Sequence, residues 1–469
     1  MKPLADVSLL IGEEQAVFAF PRERLGALPS PPTAGVDWQL VVALRRKASD
    51  LITRRLAEAS QDGSPPLSTV DRRLLGRSVV RSVVADHAAR LGADGRALWP
   101  VEVEHAYAVA VEDAIFGFGR LQPLFEIADA ENIEIHGCDS VVVQYGDGRR
   151  TTHPPVADSD EELVEAIRFL GESVTPARPF DDAHPTMTLA LGDRHRLHAI
   201  GFGLSFRPSI AIRQHTLTHV TLSELVDGGM LSEELARLLH AAVLAHKSIV
   251  ISGDQGAGKT TLLRALIAAI PANERFGTLE TDYELLTHLQ PGRTNILALQ
   301  ARVGMGETQD GHRLGEYTVA DLIPEALRQN LSRLVVGEVR GGEAGAMFEA
   351  MTAITGTMST THSHSASSTI DRLASRVAQG GVLTIEEAYR QIAHHLHLLV
   401  HVRLVDDTWR GGLRTRFVSE VRQLTGGIEG GRPVTHLVYQ AADSGGRARF
   451  TPDPGFLSEL EPFRSGWEQ

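Results

Sequence analysis

Cysteine occurs once in the 469 residues, at Cys138, so no disulfide can close within the chain and a four-cysteine zinc site is excluded. Long apolar runs are missing too. Nothing approaches the ~20 consecutive apolar residues that span a bilayer, so any membrane association is expected to pass through a partner. A positive charge excess is also absent. The formal net charge of −13 would repel a phosphate backbone, and no local basic patch stands out against it, which weighs against a chain that tracks nucleic acid. Residues Met1 to Gln15 carry one lysine, a very short apolar run at Val7 to Ile11, and then Glu13 and Glu14, which does not fit a secretory signal. Internal repeats and extended low-complexity tracts are lacking as well. Together these absences imply a protein of the reducing cytoplasm.

What is present is the composition of a globular protein, 42% apolar and 22% charged residues. The chain is too long for one core, since single cores stop growing near ~250 to 300 residues. Residues 1–105 read as a largely helical extension broken by Leu28-Pro29-Ser30-Pro31-Pro32 and Asp62-Gly63-Ser64-Pro65-Pro66. Trp38 to Ala59 and Val70 to Leu91 place apolar residues at three- and four-residue spacing between Arg-rich faces, a pattern for solvated helices or for a docking surface. Residues 106–213 change to a helix followed by short β-like runs, such as Ile133-Glu134-Ile135 and Val141 to Tyr145, and read as a small α+β domain. Thr221-Leu222-Ser223-Glu224 is a capping-box pattern, and Ser232 with Glu233 and Glu234 opens a second helix. These mark the entry to a domain over 222–469.

The strongest motif follows at once. Ser248-Ile249-Val250-Ile251-Ser252 is a compact β-branched strand feeding into Gly253-Asp254-Gln255-Gly256-Ala257-Gly258-Lys259-Thr260, with Thr261 next, and every position of the G-x-x-x-x-G-K-[ST] pattern is filled. Glycines let backbone N–H groups curl around a β-phosphate where side chains would block the approach. Lys259 can then reach the β- and γ-phosphates, and the Thr260 hydroxyl is placed to ligate Mg²⁺. The helix the mechanism demands runs from Leu262 to Ile270 and stops at Pro271. ATP and Mg²⁺ are therefore the expected ligands.

Carboxylates that orient the metal and the attacking water should sit at the ends of neighbouring hydrophobic strands. Leu334-Val335-Val336-Gly337-Glu338 has that form, as does Gly277-Thr278-Leu279-Glu280 followed by Thr281-Asp282-Tyr283-Glu284. Alone, either run reads as a solvated loop; their order after the phosphate loop favours a site. Further on, Ser359-Thr360-Thr361-His362-Ser363-His364-Ser365 ends a strand beside where the γ-phosphate would lie.

Over about Leu121 to Val421 these motifs resemble those of the type II/type IV secretion ATPases, and most closely the CpaF-like branch of tight-adherence pili. The family carries an Asp box I-E-D-x-x-E, a Walker B ending V-G-E-V-R-G-x-E, and a His box S-T-x-H-x-N-S. This chain supplies Leu279-Glu280-Thr281-Asp282-Tyr283-Glu284, Val336-Gly337-Glu338-Val339-Arg340-Gly341-Gly342-Glu343 and Ser359 to Ser365. Thr281 stands where the Asp box has its aspartate, and His364 where the His box has asparagine. Leu121 to Phe125, Ile133 to Gly137 and Gly192-Asp193-Arg194-His195-Arg196-Leu197-His198-Ala199 resemble the family's N-terminal domain.

The resemblance implies that Glu284 polarises the attacking water, that Glu338 acts through Mg²⁺ and that His362 couples nucleotide state to conformation. Arg196, Arg213 and Arg340 are candidates for the arginine that closes the site. The expected fold is α/β: a RecA-like P-loop ATPase domain with a mainly parallel sheet, preceded by a small α+β (PAS-like) domain and a helical extension. The resemblance further implies a homohexamer docked on an inner-membrane platform protein, at the inner face of the cell membrane, powering secretion or pilus assembly. A nucleotide-gated scaffold with little turnover and a DNA-translocating motor are the rival readings. His394, His395, His397 and His401 lie close together but lack a carboxylate cluster, so a packed helix-to-strand junction is expected there rather than a metal site.

Overall fold

The structure, a computed structural model, describes residues 36–464 apart from 62–67, 94–96, 175–176, 193, 216–218, 291, 303, 305–307, 310–311, 342, 380, 382 and 443–447. The residues Met1 to Gln15, both proline-rich breaks, and Asp193 and Gly342 of the quoted motifs lie outside the described residues. The chain divides into two compact units, Met1–Thr216 and Leu217–Gln469.

The first unit opens with helices α1 (Trp38–Gln61), α2 (Thr69–Ala93) and α3 (Val101–Phe116). Val41, Leu44, Ala48 and Ile52 repeat at three- and four-residue spacing along α1, so one stripe is apolar and packs on Val79, Val80 and Val84 of α2. Tyr107, Ala110 and Val111 of α3 complete the same core. The helical part therefore runs through the boundary expected at 105, because the apolar stripe of α3 belongs with α1 and α2. A short helix α4 (Gln122–Phe125) leads into strands β1 (Ala130–His136), β2 (Ser140–Tyr145) and β3 (Arg150–His153), helix α5 (Asp160–Ser173), and strands β4 (Thr186–Leu191), β5 (His195–Ile200) and β6 (Ser209–Gln214). The strands form one antiparallel sheet in the order β3-β2-β1-β6-β5-β4. Its buried face, with Ile133, Ile135, Leu197 and Ile212, shares a core with Leu163, Ile167 and Leu170 of α5.

The second unit begins with α6 (Leu222–Asp227), whose Thr221/Glu224 capping box forms as the sequence suggests, and α7 (Glu233–Leu244), capped by Ser232. Then follow β7 (Ile249–Gly253), α8 (Lys259–Ala268), β8 (Phe276–Glu280), β9 (Ile296–Gln300), the two-residue strands β10 (Thr308–Gln309) and β11 (His312–Arg313), α9 (Val319–Leu327), β12 (Arg333–Val339), α10 (Glu343–Ala353), β13 (Met358–His362), α11 (Ala366–Gln379) and α12 (Ile385–His395). The unit ends with β14 (Leu398–Asp406), β15 (Arg414–Glu429), β16 (Arg432–Gln440), β17 (Arg449–Phe450) and α13 (Pro454–Leu460).

Nine strands make one sheet, β17-β16-β15-β14-β7-β13-β12-β8-β9. From β14 to β9 all neighbours run parallel, and β15, β16 and β17 continue antiparallel. Ile249 and Ile251 of β7 join the core with α7 and α8, whereas Val250 joins the core with α9 to α12. Both faces are covered, which is why these strands read as unbroken apolar runs rather than as alternation. In such a sheet the ligand crevice lies beyond the carboxyl ends of the strands, where Gly253, Glu280, Glu338 and His362 all sit.

Candidate active site

Strand β7 delivers the chain into the phosphate loop, and α8 leaves from it. Gly253 lies so close to β14 that a Cβ would come within 2.2 Å of the Val402 carbonyl oxygen, so only glycine fits. Gly258, at φ 95°, caps α8 without a side-chain acceptor, and the first-turn amides of Lys259, Thr260 and Thr261 point toward the loop with the positive end of the helix dipole. Asp254, Gln255, Gly256 and Ala257 form the rest of the loop. Lys259 is buried, and its ammonium donates to the carbonyls of Gly253 at 3.1 Å and Asp254 at 2.9 Å and to His362 Nδ1 at 3.1 Å.

That last bond assigns the histidine tautomer. An ammonium is donor only, so Nδ1 must accept and the ring proton sits on Nε2. Nε2 lies 3.0 Å from Glu338 Oε1, in close ion-pair range though not in line for a hydrogen bond. The other oxygen of Glu338 accepts from Arg340 at 2.6 Å. Lys259, His362, Glu338 and Arg340 therefore form one continuous polar chain across the carboxyl ends of three adjacent strands, β7, β13 and β12. Burial works to raise the Glu338 carboxyl, but its contacts with His362 and Arg340 outweigh that and bring it down to about 2. It is a fixed negative charge at neutral pH.

The aim of Glu338 comes from a bulge. Val336 pairs with Ser359 and Val339 with Thr361, so three steps on β12 oppose two on β13. The carbonyls displaced by the bulge need donors. Thr360 Oγ1 donates to Gly337 O at 2.7 Å and Thr361 Oγ1 to Val339 O at 3.0 Å. The two threonines of the histidine motif thus fix the bulge that presents Glu338, a role that reading the motif for its histidine alone does not reveal.

Glu280, at the end of β8, is almost fully buried, and Gly337 has no side chain because a Cβ would meet Glu280 Cγ at 3.0 Å. Glu280 Oε1 accepts the amides of Glu284 at 2.9 Å and Leu285 at 2.8 Å, which ties the loop carrying Glu284 against the Walker B bulge. Arg264 of α8 holds the same loop by donating to the Glu284 carbonyl at 2.9 Å. The bond to Glu338, with smaller contributions from the charges of Glu284 and Asp282, holds the Arg340 guanidinium above its usual value.

Burial pushes the Glu280 carboxyl up to about 8 despite those two amide bonds, and its Oε2 is buried with no hydrogen-bond partner among the described residues. An acid whose folded value lies above its ordinary 4.5 holds its proton more tightly when folded. Its stabilising contribution is whole below about pH 4.5 and is lost as pH rises through about 8. Glu280→Gln mimics the neutral form, so the fall in melting temperature over that window should be shallower in the variant than in the parent. Equal slopes would remove Glu280 from the pH dependence.

The other residues singled out in the sequence divide as follows. Thr260 and Thr261 are half-buried in the first turn of α8. His364 Nδ1 lies 2.8 Å from Asp254 Oδ1, so the histidine in the usual asparagine position makes a second link to the phosphate loop, from the segment that follows β13. Arg196 and Arg213 belong to the first unit, where they stand directly opposite each other on β5 and β6. Of the clustered histidines, His397 Nδ1 accepts the Ser248 amide at 3.1 Å and His401 Nδ1 lies 2.9 Å from Ser252 Oγ. No group of three metal-binding side chains occurs among the described residues. No described helix is long and apolar enough to cross a membrane.

A magnesium ion fits the donor set at the loop. Glu338 is held ionised with Oε1 unpartnered by a hydrogen bond, the Thr260 hydroxyl lies in the uncapped first turn of α8, and a nucleotide's own phosphates supply the remaining hard oxygen ligands.

A model of the type II/IV secretion system protein family matches residues 153–424. A Mycobacterium tuberculosis protein named for conjugal transfer is 30% identical over 308 residues, covering 62% of this chain and 82% of its own length. Protein VirB11 of Agrobacterium fabrum is 30% identical over 183 residues, 38% of this chain and 50% of that protein. Among solved structures, the ATPase DotB of Legionella pneumophila aligns with a TM-score of 0.44 and 18% identity over 64% of this chain and 78% of that one.

Proposed function

The chain belongs to the type II/IV secretion system protein family, and on that premise we propose that it is an ATP-hydrolysing motor for a secretion or pilus-assembly machine. One observation carries the reading: around a helix N-terminus the phosphate-loop lysine donates to the histidine of β13, whose other ring nitrogen lies 3.0 Å from the ionised glutamate of β12. Lys259 would draw charge from the β- and γ-phosphates, with the amides of α8 cradling the β-phosphate. Thr260 and Glu338 would hold the magnesium ion, whose bound charge offsets that of the phosphates. Glu284, held at its backbone by Glu280 and Arg264, would orient the attacking water. His362 bridges the lysine and Glu338, so a change at either is felt by the other and by β13.

Beyond this, the reading extends to a ring of six copies seated through a platform protein on the inner face of the cell membrane. The relative named for conjugal transfer supports a transfer or secretion machine as the setting. In the division of labour, the helices α1 to α3 are the variable extension, the sheet domain that carries Arg196 and Arg213 is the smaller α+β part, and 222–469 is the motor. The test is phosphate release from ATP by the purified full chain, with and without chelation of magnesium. Release that stops on chelation and resumes on adding magnesium is expected. ATP bound without release would instead mark a nucleotide-gated scaffold.

A further inference from the structure

The flank of the phosphate loop away from Glu338 is covered by a strand that takes no part in the chemistry above. Strand β14 runs parallel to β7 with Val402 opposite Gly253, and continues to Asp406 beyond the end of β7. Strand β15 pairs with that overhang, Leu404 opposite Arg416 and Asp406 opposite Arg414. The hairpin thus forms a wall beside the loop, and its contacts are close. Arg416 Nε donates to the Gly256 carbonyl at 2.7 Å. Arg416 Cδ lies 3.6 Å, and Met230 Cε 3.2 Å, from where a Cβ on Gly258 would stand, while an Arg414 guanidinium nitrogen lies 3.6 Å from the same position on Gly256. The Val418 amide donates to Met230 O at 2.8 Å, so the strand and the residue packed over the loop are tied together.

Gly256 and Gly258 both adopt positive φ, 73° and 95°. Backbone of that form curls the loop into a nest with its amides turned toward an anion and its carbonyls turned away. A carbonyl turned away from the nest needs a donor of its own, and Arg416 supplies one to Gly256. We propose that Arg416 is a positioning residue for nucleotide binding, which through the Gly256 carbonyl holds the phosphate loop in the shape that receives the β-phosphate of a nucleoside di- or triphosphate. The proposal rests on the ATPase reading and assigns to it a residue from the opposite side of the loop to the carboxylates. Because β14 and β13 flank β7 on opposite sides, loss of this hold weakens capture of the nucleotide and leaves hydrolysis of what is captured to Glu338 and His362.

The experiment uses the full chain, ADP binding and steady-state ATP hydrolysis. In Arg416→Ala the ADP dissociation constant and the KM for ATP rise together by about tenfold, the loss of roughly one well-made hydrogen bond, while kcat changes by less than about twofold. Arg416→Gln places an amide nitrogen where Nε stood and deletes the charge. It restores both constants to near the parent values, which a role through charge alone would not allow. Unchanged constants in the alanine variant, equal weakening in the glutamine variant, or a fall in kcat at constant KM would each overturn the proposal. If the alanine variant fails to fold, the glutamine variant decides: near-parent ADP affinity upholds the bond, and tenfold weakening refutes it. Failure of the parent chain itself to bind ADP would instead defeat the ATPase reading.

Discussion

Lys259→Ala is expected to lower ATP turnover roughly 10²- to 10³-fold or more, the range seen when one preorganised donor to a developing phosphate or oxyanion charge is removed. The structure explains why the effect should exceed that of a lost surface charge. The ammonium is buried, sits at the start of α8 and gathers the carbonyls of Gly253 and Asp254. It also reaches both the loop and His362. Removing it deletes charge from the phosphates and frees the histidine to adopt either tautomer, so the orientation of Glu338 loosens as well. Phosphate release at the parent rate would contradict the role given to the loop.

Glu338→Gln separates binding from turnover. The carboxylate is ionised well below neutral pH and lies between His362 and Arg340. An amide keeps an oxygen for the His362 ring and nearly the same volume, so the bulge held by Thr360 and Thr361 should persist. What is lost is the negative charge for the metal. Turnover should fall by about 10²- to 10⁴-fold, while ATP binding, which depends on the loop amides and Lys259, stays within a few-fold of the parent. Parent-like steady-state hydrolysis would take Glu338 out of the mechanism, and loss of ATP binding would make it a structural residue of the loop.

The sequence is most informative where the site is contiguous. Strand β7, the loop and α8 follow one another without interruption, so residue type and spacing alone specify the cradle. The strand before Glu338 and the one before His362 are legible for a related reason, since each is an apolar run ending in a polar group. Their mutual bonds are not legible. Lys259 meets His362 across 103 positions and Arg416 meets Gly256 across 160, contacts created by the parallel pairing of β7 with β13 and with β14, whose antiparallel partner β15 carries Arg416. Glu280 illustrates a different limit. As a letter it is one acid among several, and only burial and the amides of Glu284 and Leu285 identify it as the residue that holds the others in place. Helix α3 crosses residue 105 for a related reason, because a change in β-like patterning marks where a sheet begins and not where a helical core ends.

The central claim is that Lys259, Glu284 and Glu338 converge on one magnesium-bound nucleotide. The most direct measurement is an experimental structure of the Glu338→Gln chain trapped with ATP and magnesium. The account predicts the β- and γ-phosphates within bonding reach of Lys259 Nζ and the α8 amides, the metal against the Thr260 hydroxyl, and the Glu284 carboxylate facing the γ-phosphate. A nucleotide bound elsewhere, or one at the loop with both residue 338 and Glu284 turned to solvent, would contradict it.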